Sequence, residues 1–249
     1  MPKKATKKRA PRKQPKPAEY KFNPDLEFWG SSHVSNFHLL KDMYAGRPGL
    51  NFLEVGVYEA KTSIWLLENI LTADDAKLTG IEVDRHPLLQ HNLNVMEESK
   101  RYANKYKVLW DNSFHALSVL YTLHSRFKET LYDFIYLDAG HHAKCLLEDI
   151  VLAWRILKIG GILLMDDYEM EAKDPWFYIM HKEFEQHPRI NFLHPRMAID
   201  VFLSLYRGQY EVVFDNYQKG VRKIVELGEK NLVHGDDDQP ESYVHIEKR

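Results

Sequence analysis

Three acidic side chains directly follow two apolar segments of the sequence. Asp138 comes after the run that ends at Leu137, and the pair Asp166 and Asp167 comes after the run that ends at Met165. If the runs are neighbouring parallel strands, their ends bring three carboxylates into one pocket, where they repel unless a divalent cation neutralises them. Oxygen ligands suit Mg²⁺ or Mn²⁺. The three aspartates are therefore predicted metal ligands, with a solvated acidic loop as the alternative.

A histidine stands close enough to the first of these acids to face the same pocket. His141 lies three residues after Asp138 and next to Gly140. An imidazole titrates near neutral pH, so it can take the proton of an acceptor hydroxyl whose acidity a bound cation has raised. We predict His141 as the general base, with a purely structural histidine as the alternative. We expect His142 to face away or to cap the next helix.

A single glycine follows the first apolar segment, in the stretch EVGVYEAKT that begins at Glu54. A nicotinamide dinucleotide needs three glycines in the pattern GxGxxG, so that backbone amides can reach its pyrophosphate. S-adenosylmethionine (SAM) has no phosphate, so one close approach at Gly56 suffices and the pattern favours this cofactor. A structural turn is the alternative. The predicted cofactor-binding residues here are Glu54, Gly56, Tyr58, Lys61 and Thr62.

Polar residues also end the next two apolar segments. Glu82 stands 26 residues after Gly56, and a carboxylate at a strand end can accept hydrogen bonds from both ribose hydroxyls of a nucleoside. Asp84 is the rival for this role. Asn112 and Ser113 can reach an adenine edge or can simply cap the following helix. With Asp138, these four residues complete the predicted cofactor site.

Short apolar runs alternate with amphipathic segments, which predicts an α/β fold with helices on both faces of a mostly parallel sheet. Helical spacing marks Thr62–Leu71 and Ala143–Leu157, and we expect Lys158, Gly160 and Gly161 to end the second helix. Parallel strands are predicted at Asn51–Val55, Leu78–Val83, Lys107–Trp110, Asp133–Leu137 and Gly161–Met165.

The C-terminal part predicts a helix over Ala198–Tyr206 and then an antiparallel hairpin. The apolar runs Glu211–Phe214 and Val221–Val225 flank a turn at Gln218, Lys219 and Gly220. Five parallel strands and this hairpin make a seven-stranded, Rossmann-like sheet. Ligands of such sheets bind beyond the carboxyl ends of the strands, where the strand order reverses.

Charge is distributed unevenly along the 249 residues, whose net charge is -2. The first 16 residues hold eight Lys or Arg and no acid, so the rest of the chain is acidic. We predict a disordered basic arm over residues 1–20, a methyl-transferring domain over 21–233 and a flexible polar tail over 234–249. Nucleic acid is a possible partner only through the arm.

One cysteine, Cys145, excludes an intrachain disulfide and a cysteine-rich zinc site. No apolar stretch approaches the roughly 20 residues that cross a bilayer, and no signal-peptide core precedes the domain. We therefore expect no membrane association and an intracellular, cytoplasmic protein, with a nuclear location possible through the arm. The oligomeric state is not determined by these features.

The motifs together resemble the class I SAM-dependent methyltransferases, and in particular the cation-dependent sugar O-methyltransferases of macrolide and rhamnose modification. The resemblance rests on LEVGVYEAKTS, TGIEVD, DFIYLDAGHHAKCLLEDI and LKIGGILLMDD, just under half of the chain. It implies Asp138, Asp166 and Asp167 as Mg²⁺ ligands and His141 as base. Ala60 stands where the family often has a second glycine.

The sequence thus predicts a SAM-dependent O-methyltransferase that acts on a hydroxyl of a small, sugar-like or glycan acceptor with Mg²⁺ (or Mn²⁺) assistance. The first alternative is a metal-independent methyltransferase of nucleic acid or protein, guided by the basic arm. A second is a non-catalytic SAM-binding module that kept the fold. A nicotinamide oxidoreductase comes last, because the glycine pattern is missing.

Overall fold

A computed structural model describes residues 19–22, 30–98, 102, 104–127, 131–170 and 194–227. Nearly all of the predicted basic arm and the whole predicted polar tail lie outside these residues, so both stay predictions. Within the described ranges, no helix combines the length and the apolar character needed to span a membrane.

The centre of the fold is a seven-stranded mixed sheet in the order β3-β2-β1-β4-β5-β7-β6. The first five strands are parallel, and β7 runs antiparallel to both β5 and β6. The predicted Rossmann-like sheet with a C-terminal hairpin is confirmed. Its strands are β1 (Asn51–Val55), β2 (Lys77–Glu82), β3 (Tyr106–Trp110), β4 (Tyr132–Leu137), β5 (Leu157–Met165), β6 (Tyr210–Asp215) and β7 (Lys219–Lys223).

Helices cover both faces of the sheet because alternate strand residues point to opposite sides. Phe52 and Phe134 face one layer, in which Phe37 and Leu66 are buried, whereas Leu53 and Ile135 face the other, in which Ile150 and Phe202 are buried. The described helices are α1 (Ser31–Tyr44), α2 (Lys61–Asn69), α3 (Pro87–Glu98), α4 (Ser113–Phe127), α5 (Ala143–Ile156) and α6 (Pro195–Leu205).

The strand order reverses between β1 and β4, and the two strand ends are tied together there. The Asp138 amide donates to the Val55 carbonyl at 2.8 Å, and the Gly56 amide donates to the Ile81 carbonyl at 3.0 Å. Ligands of open α/β sheets bind at such a switch point. The chain therefore brings the ends of β1, β2 and β4 to one edge.

The prediction for the start of β5 is wrong by several residues. Helix α5 ends at Ile156 and β5 begins at once at Leu157, so Gly160 and Gly161 lie inside the strand and do not cap the helix. The β4–β5 register shifts between Tyr132 and Phe134, and Gly160 has a φ of +86° at this irregularity. The glycine pair serves a bulge in the strand, where a positive φ favours glycine.

Candidate active site

One large cavity of about 740 Å³ lies over the carboxyl ends of the parallel strands. Such a volume is typical of a small-molecule or cofactor site. The cavity touches the ends of β1, β2, β3, β4 and β5, the start of α1 and the β6–β7 turn. Of the residues predicted from the sequence, those that line it are Gly56, Tyr58, Glu82, Asn112, Ser113, Asp138, His141, Asp166 and Asp167.

The turn after β1 requires glycine at its first position. Gly56 has a φ of +92°, and the Cβ atom of any other residue there would overlap the carbonyl oxygen of Asp138. Tyr58 and Ala60 also have positive φ, 49° and 62°. Ala60 thus adopts the left-handed conformation that glycine adopts more easily.

Glu82 holds this turn against the end of β2. One carboxylate oxygen accepts from the Val57 and Tyr58 amides at 3.0 and 2.7 Å, and the other accepts from the Val83 and Asp84 amides at 2.8 and 2.9 Å. The carboxylate stands at the cavity, whereas the exposed Asp84 is not among the residues that line it. Of the two rivals, only Glu82 lines the cavity.

The polar residues after β3 have a structural partner as well as a place at the cavity. The Asn112 side-chain oxygen accepts from the His115 amide at 2.9 Å and so caps α4. Ser113 hydrogen-bonds Asp149 of α5. The capping alternative therefore holds for Asn112, and the cavity contact holds for both residues.

Three predicted cofactor residues lie away from the large cavity. Glu54, Lys61 and Thr62 line an adjoining space of about 30 Å³. Glu54 is 1% exposed, and its carboxyl accepts from the Ser63 hydroxyl. Burial raises the pKa of Glu54 to about 8, even though the Ser63 hydrogen bond opposes the shift. The group is a buried acid beneath the turn, and this pKa favours its protonated form at neutral pH.

The three predicted metal ligands do meet at one end of the large cavity. Burial and the charges of Asp166 and Asp167 raise the pKa of Asp138 well above its usual range. Burial alone would also raise the pKa of Asp166, but hydrogen bonds from His33, Tyr136 and the Asp167 amide hold it low. The folded chain therefore favours a proton on Asp138, which lies beside two acidic neighbours.

Asp166 is the most enclosed of the three acids, at 6% exposure. The His33 Nε2 lies 3.1 Å from each of its oxygens, and the Asp167 amide donates to Oδ1 at 2.8 Å. The Tyr136 hydroxyl donates to Oδ2 and also lies 3.2 Å from Asp138. Asp166 is thus held by α1, by β4 and by its own backbone.

His141 lies at the acid end and pairs with Asp167. Its Nε2 is 2.7 Å from Asp167 Oδ2, and the Tyr217 hydroxyl donates to Asp167 Oδ1 at 2.9 Å. Burial alone would lower the pKa of His141, but the hydrogen bond and charge of Asp167 raise it. Ligand atoms of Asp138, His141 and Asp167 lie within 4.8 Å of one another, so a cation could bind there, with Asp166 outside this group of atoms.

The prediction for the second histidine of the pair is confirmed. The His142 side chain accepts from the Lys144 amide at 3.3 Å, which makes it the N-cap of α5. A side chain in this role satisfies one of the orphan amides of the first helical turn.

Sequence reasoning missed three residues of the site: His33, Tyr136 and Tyr217. Tyr136 was covered by the prediction of β4, whose alternation indicates its face but not a bond between two carboxylates. His33 and Tyr217 come from α1 and from the β6–β7 turn, far along the chain from the acids. No local motif marks them, because only the assembled sheet brings these segments to the cavity.

Residues 53–168 match a family model described as a methyltransferase domain. Just under half of the chain is therefore similar to methyltransferase domains. The match spans β1 to the end of β5 and includes every cavity residue predicted from the sequence, so the predictions of a class I methyltransferase fold and of an enzyme are confirmed. No curated protein matches the chain.

Solved structures, two of them of methyltransferases, share the fold of this chain. The O-methyltransferase TomG from Streptomyces achromogenes, solved with SAM, is 16% identical, with a TM-score of 0.55 over 80% of this chain and 82% of TomG. A protein from Corynebacterium glutamicum is 14% identical, with a TM-score of 0.54 over 78% and 82%. MycE of the mycinamycin pathway, solved with Mg, S-adenosylhomocysteine (SAH) and mycinamycin VI, is 12% identical, with a TM-score of 0.51 over 80% of this chain and 51% of MycE.

Proposed function

We propose that this protein is a SAM-dependent O-methyltransferase that acts on a hydroxyl of a small, sugar-like acceptor with the help of Mg²⁺ or Mn²⁺. One observation carries the proposal: a single cavity joins a nucleoside-type end at Gly56 and Glu82 to an acid end with His141. A methyl donor and an acceptor hydroxyl can therefore meet within one enclosed volume.

The cofactor end fits SAM on the evidence of its backbone. At Gly56 the chain leaves no room for a side chain, so a ligand can approach the main chain closely. Glu82 offers a fixed carboxylate for the ribose, and Asn112 and Ser113 line the same cavity with polar groups suited to an adenine edge. Glu54, Lys61 and Thr62 lie behind the turn and support its shape from the adjoining space.

The acid end fits a divalent cation on the evidence of its charge. Asp138, Asp166 and Asp167 line the same wall, and burial together with the charges of Asp166 and Asp167 raises the pKa of Asp138. Hard cations bind such oxygen donors, and the double positive charge of Mg²⁺ or Mn²⁺ offsets the repulsion between the carboxylates. Asp138 and Asp167, whose ligand atoms lie within 4.8 Å of each other, would hold the cation, with Asp166 as the third carboxylate of the wall.

When bound, SAM supplies a methyl group on a sulfonium and the cation supplies a Lewis acid that lowers the pKa of an acceptor hydroxyl. The residues of the chain orient the base and accept the proton. Asp167 orients the imidazole of His141 through the 2.7 Å contact, and His141 accepts the hydroxyl proton. Transfer between two bound groups depends mainly on positioning, which the rigid strand ends provide.

The sugar-like acceptor rests on two supports. One is the resemblance of the motifs to sugar O-methyltransferases. The other is MycE, which shares the fold and was solved with mycinamycin VI. The acceptor wall of this chain contains polar groups at Ser31, Ser32 and Tyr217, which suit a hydroxylated molecule.

The test is a methyl-transfer assay on hydroxylated acceptors such as macrolide glycosides and rhamnosides, with and without chelator, for wild type and His141→Ala. We expect chelation to abolish transfer and His141→Ala to lower kcat by about 10²- to 10⁴-fold. His38→Ala, on the exposed side of α1, is the matched control and should keep full activity. Full activity under chelation and in His141→Ala would refute the cation and the base while the cofactor assignment stands. No transfer from SAM to any acceptor would refute the function itself.

A further inference from the structure

We propose that His33 is a positioning residue of the cation site: it holds Asp166 in the orientation in which this carboxylate binds the metal. The inference rests on the proposed function, since it concerns the same cation. His33 belongs to α1, outside residues 53–168 that match the methyltransferase domain. The catalytic end is therefore completed by a segment that the domain match does not include.

Asp166 is held by three donors and still faces the cavity. His33 Nε2 lies 3.1 Å from both carboxylate oxygens, the Asp167 amide donates to Oδ1 and the Tyr136 hydroxyl donates to Oδ2. Of these donors, only His33 contacts both oxygens, so it fixes the plane of the carboxylate. Because Asp166 lines the cavity, a cation held beside Asp167 would meet the carboxylate in this orientation.

His33 is itself fixed by the packing of α1 on the sheet. Three residues further on, the buried Asn36 side chain donates to Asn216 and Gln218 of the β6–β7 turn at 3.0 and 2.9 Å. Gln218 in turn donates to the Tyr136 hydroxyl at 3.3 Å. The two side-chain donors of Asp166 thus belong to one connected network, which sets the distance of α1 from the end of β4.

The contact between His33 and Asp166 also identifies the ring nitrogen that acts as the donor. Nε2 faces Asp166, whereas Nδ1 faces the other way, towards Gly30, whose built Cβ would lie 3.5 Å from it. A neutral ring with its proton on Nε2 and a charged ring both donate to Asp166. The positioning role therefore needs a donor at the Nε2 position and does not depend on charge.

These facts predict the outcome of a matched pair of amide substitutions. Glutamine places its NH₂ where Nε2 lies, and asparagine places it where Nδ1 lies. Partners that orient metal-binding residues are worth about 10- to 100-fold in metal affinity. We expect His33→Asn to weaken Mn²⁺ binding by about this factor and His33→Gln to bind within about threefold of wild type.

The experiment is a titration of the full-length chain with Mn²⁺ alone, in which electron paramagnetic resonance measures the free ion, supported by thermal unfolding of each variant. His33→Leu is the variant without a donor, and it should bind as weakly as His33→Asn. His38→Leu, on the exposed face of the same helix, should bind like wild type. A His33→Asn variant with wild-type affinity, or a His33→Gln variant as weak as His33→Asn, would overturn the inference while leaving the proposed function intact.

Mn²⁺ binding and methyl transfer by the wild type separate a failure of the proposed function from a failure of the inference about His33. If wild-type protein binds no Mn²⁺, the cation is removed from the proposed function and the role of His33 falls with it. If wild type binds Mn²⁺ and turns over SAM while every His33 variant matches it, only the inference fails.

Discussion

The two ends of the cavity are held by different kinds of partner. At the cofactor end, Glu82 accepts four backbone amides, and all of them come from the turn after β1 and the residues just after β2. At the acid end, Asp166 and Asp167 are held largely by side chains that arrive from distant segments, namely His33, Tyr136 and Tyr217.

The difference shows which end of the cavity is preorganised before a ligand binds. The Glu82 charge is matched by amide donors, so the cofactor end is organised in advance by the backbone. At the acid end, burial and two acidic neighbours raise the pKa of Asp138. Keeping a proton on this acid costs stability near neutral pH, and a bound cation would take the place of the proton.

The largest expected effect comes from Gly56→Ala, since this residue touches both ends. The new Cβ would overlap the Asp138 carbonyl oxygen, and φ is +92°. We expect a loss of more than about 4 kcal/mol in the free energy of unfolding and no detectable transfer. Gly208→Ala is the control: its φ is +83° with nothing within 4 Å of the Cβ, so it should lose only about 1–2 kcal/mol. Equal losses in the two variants, measured by urea unfolding, would contradict the contact.

The next effect tests the buried acid beneath the cofactor end. The pKa of Glu54 is raised to about 8 in the folded chain from 4.5. The folded state therefore keeps a proton that the unfolded state has lost, and stability falls as pH rises from about 4.5 to about 8. We expect Glu54→Gln to remove this fall, which is on the order of a few kcal/mol. Unfolding of both proteins across pH 4–9 measures it, with the exposed Glu97→Gln as control. Parallel pH profiles for wild type and Glu54→Gln would rule out a protonated Glu54.

A smaller effect is expected at the carboxylate of the cofactor end. Glu82→Gln turns an NH₂ group towards backbone amides, so at least one charge-assisted hydrogen bond worth about 1.5–3 kcal/mol is lost. We expect the affinity for SAH to fall by about 10- to 100-fold in calorimetric titration, while Mn²⁺ binding persists. Asp84→Asn, outside the cavity, should bind SAH like wild type. A wild-type affinity of Glu82→Gln for SAH would contradict the role of the Glu82 carboxylate at the cofactor end.

The smallest expected effect has the opposite sign for stability. Asp138→Asn removes an acid whose pKa is raised in the folded chain by burial and by Asp166 and Asp167, so we expect the free energy of unfolding to rise by about 1 kcal/mol, as is common where function costs stability. Mn²⁺ binding should be lost and SAH binding should stay. A drop in stability in thermal unfolding would show that Asp138 is well balanced in the wild type.

The sequence was sufficient for the ends of the strands but not for what surrounds them. Asp138, Asp166 and Asp167 follow buried runs, so their meeting follows from the parallel sheet. The inward position of Glu54 was not predictable from its place before Gly56, because only the register of β1 puts it under Ser63. His33 and Tyr217 were missed because their contacts depend on how α1 and the β6–β7 turn pack, which no spacing within one motif encodes.

The central claim is that SAM and a cation occupy opposite ends of one cavity. The most direct measurement is a crystal structure of the full chain with SAH and Mn²⁺, with anomalous data collected for the metal. The account predicts the ribose of SAH at Glu82 and an anomalous peak in contact with Asp138, Asp166 and Asp167. SAH bound away from Glu82, or a metal peak remote from these carboxylates in the presence of SAH, would contradict it.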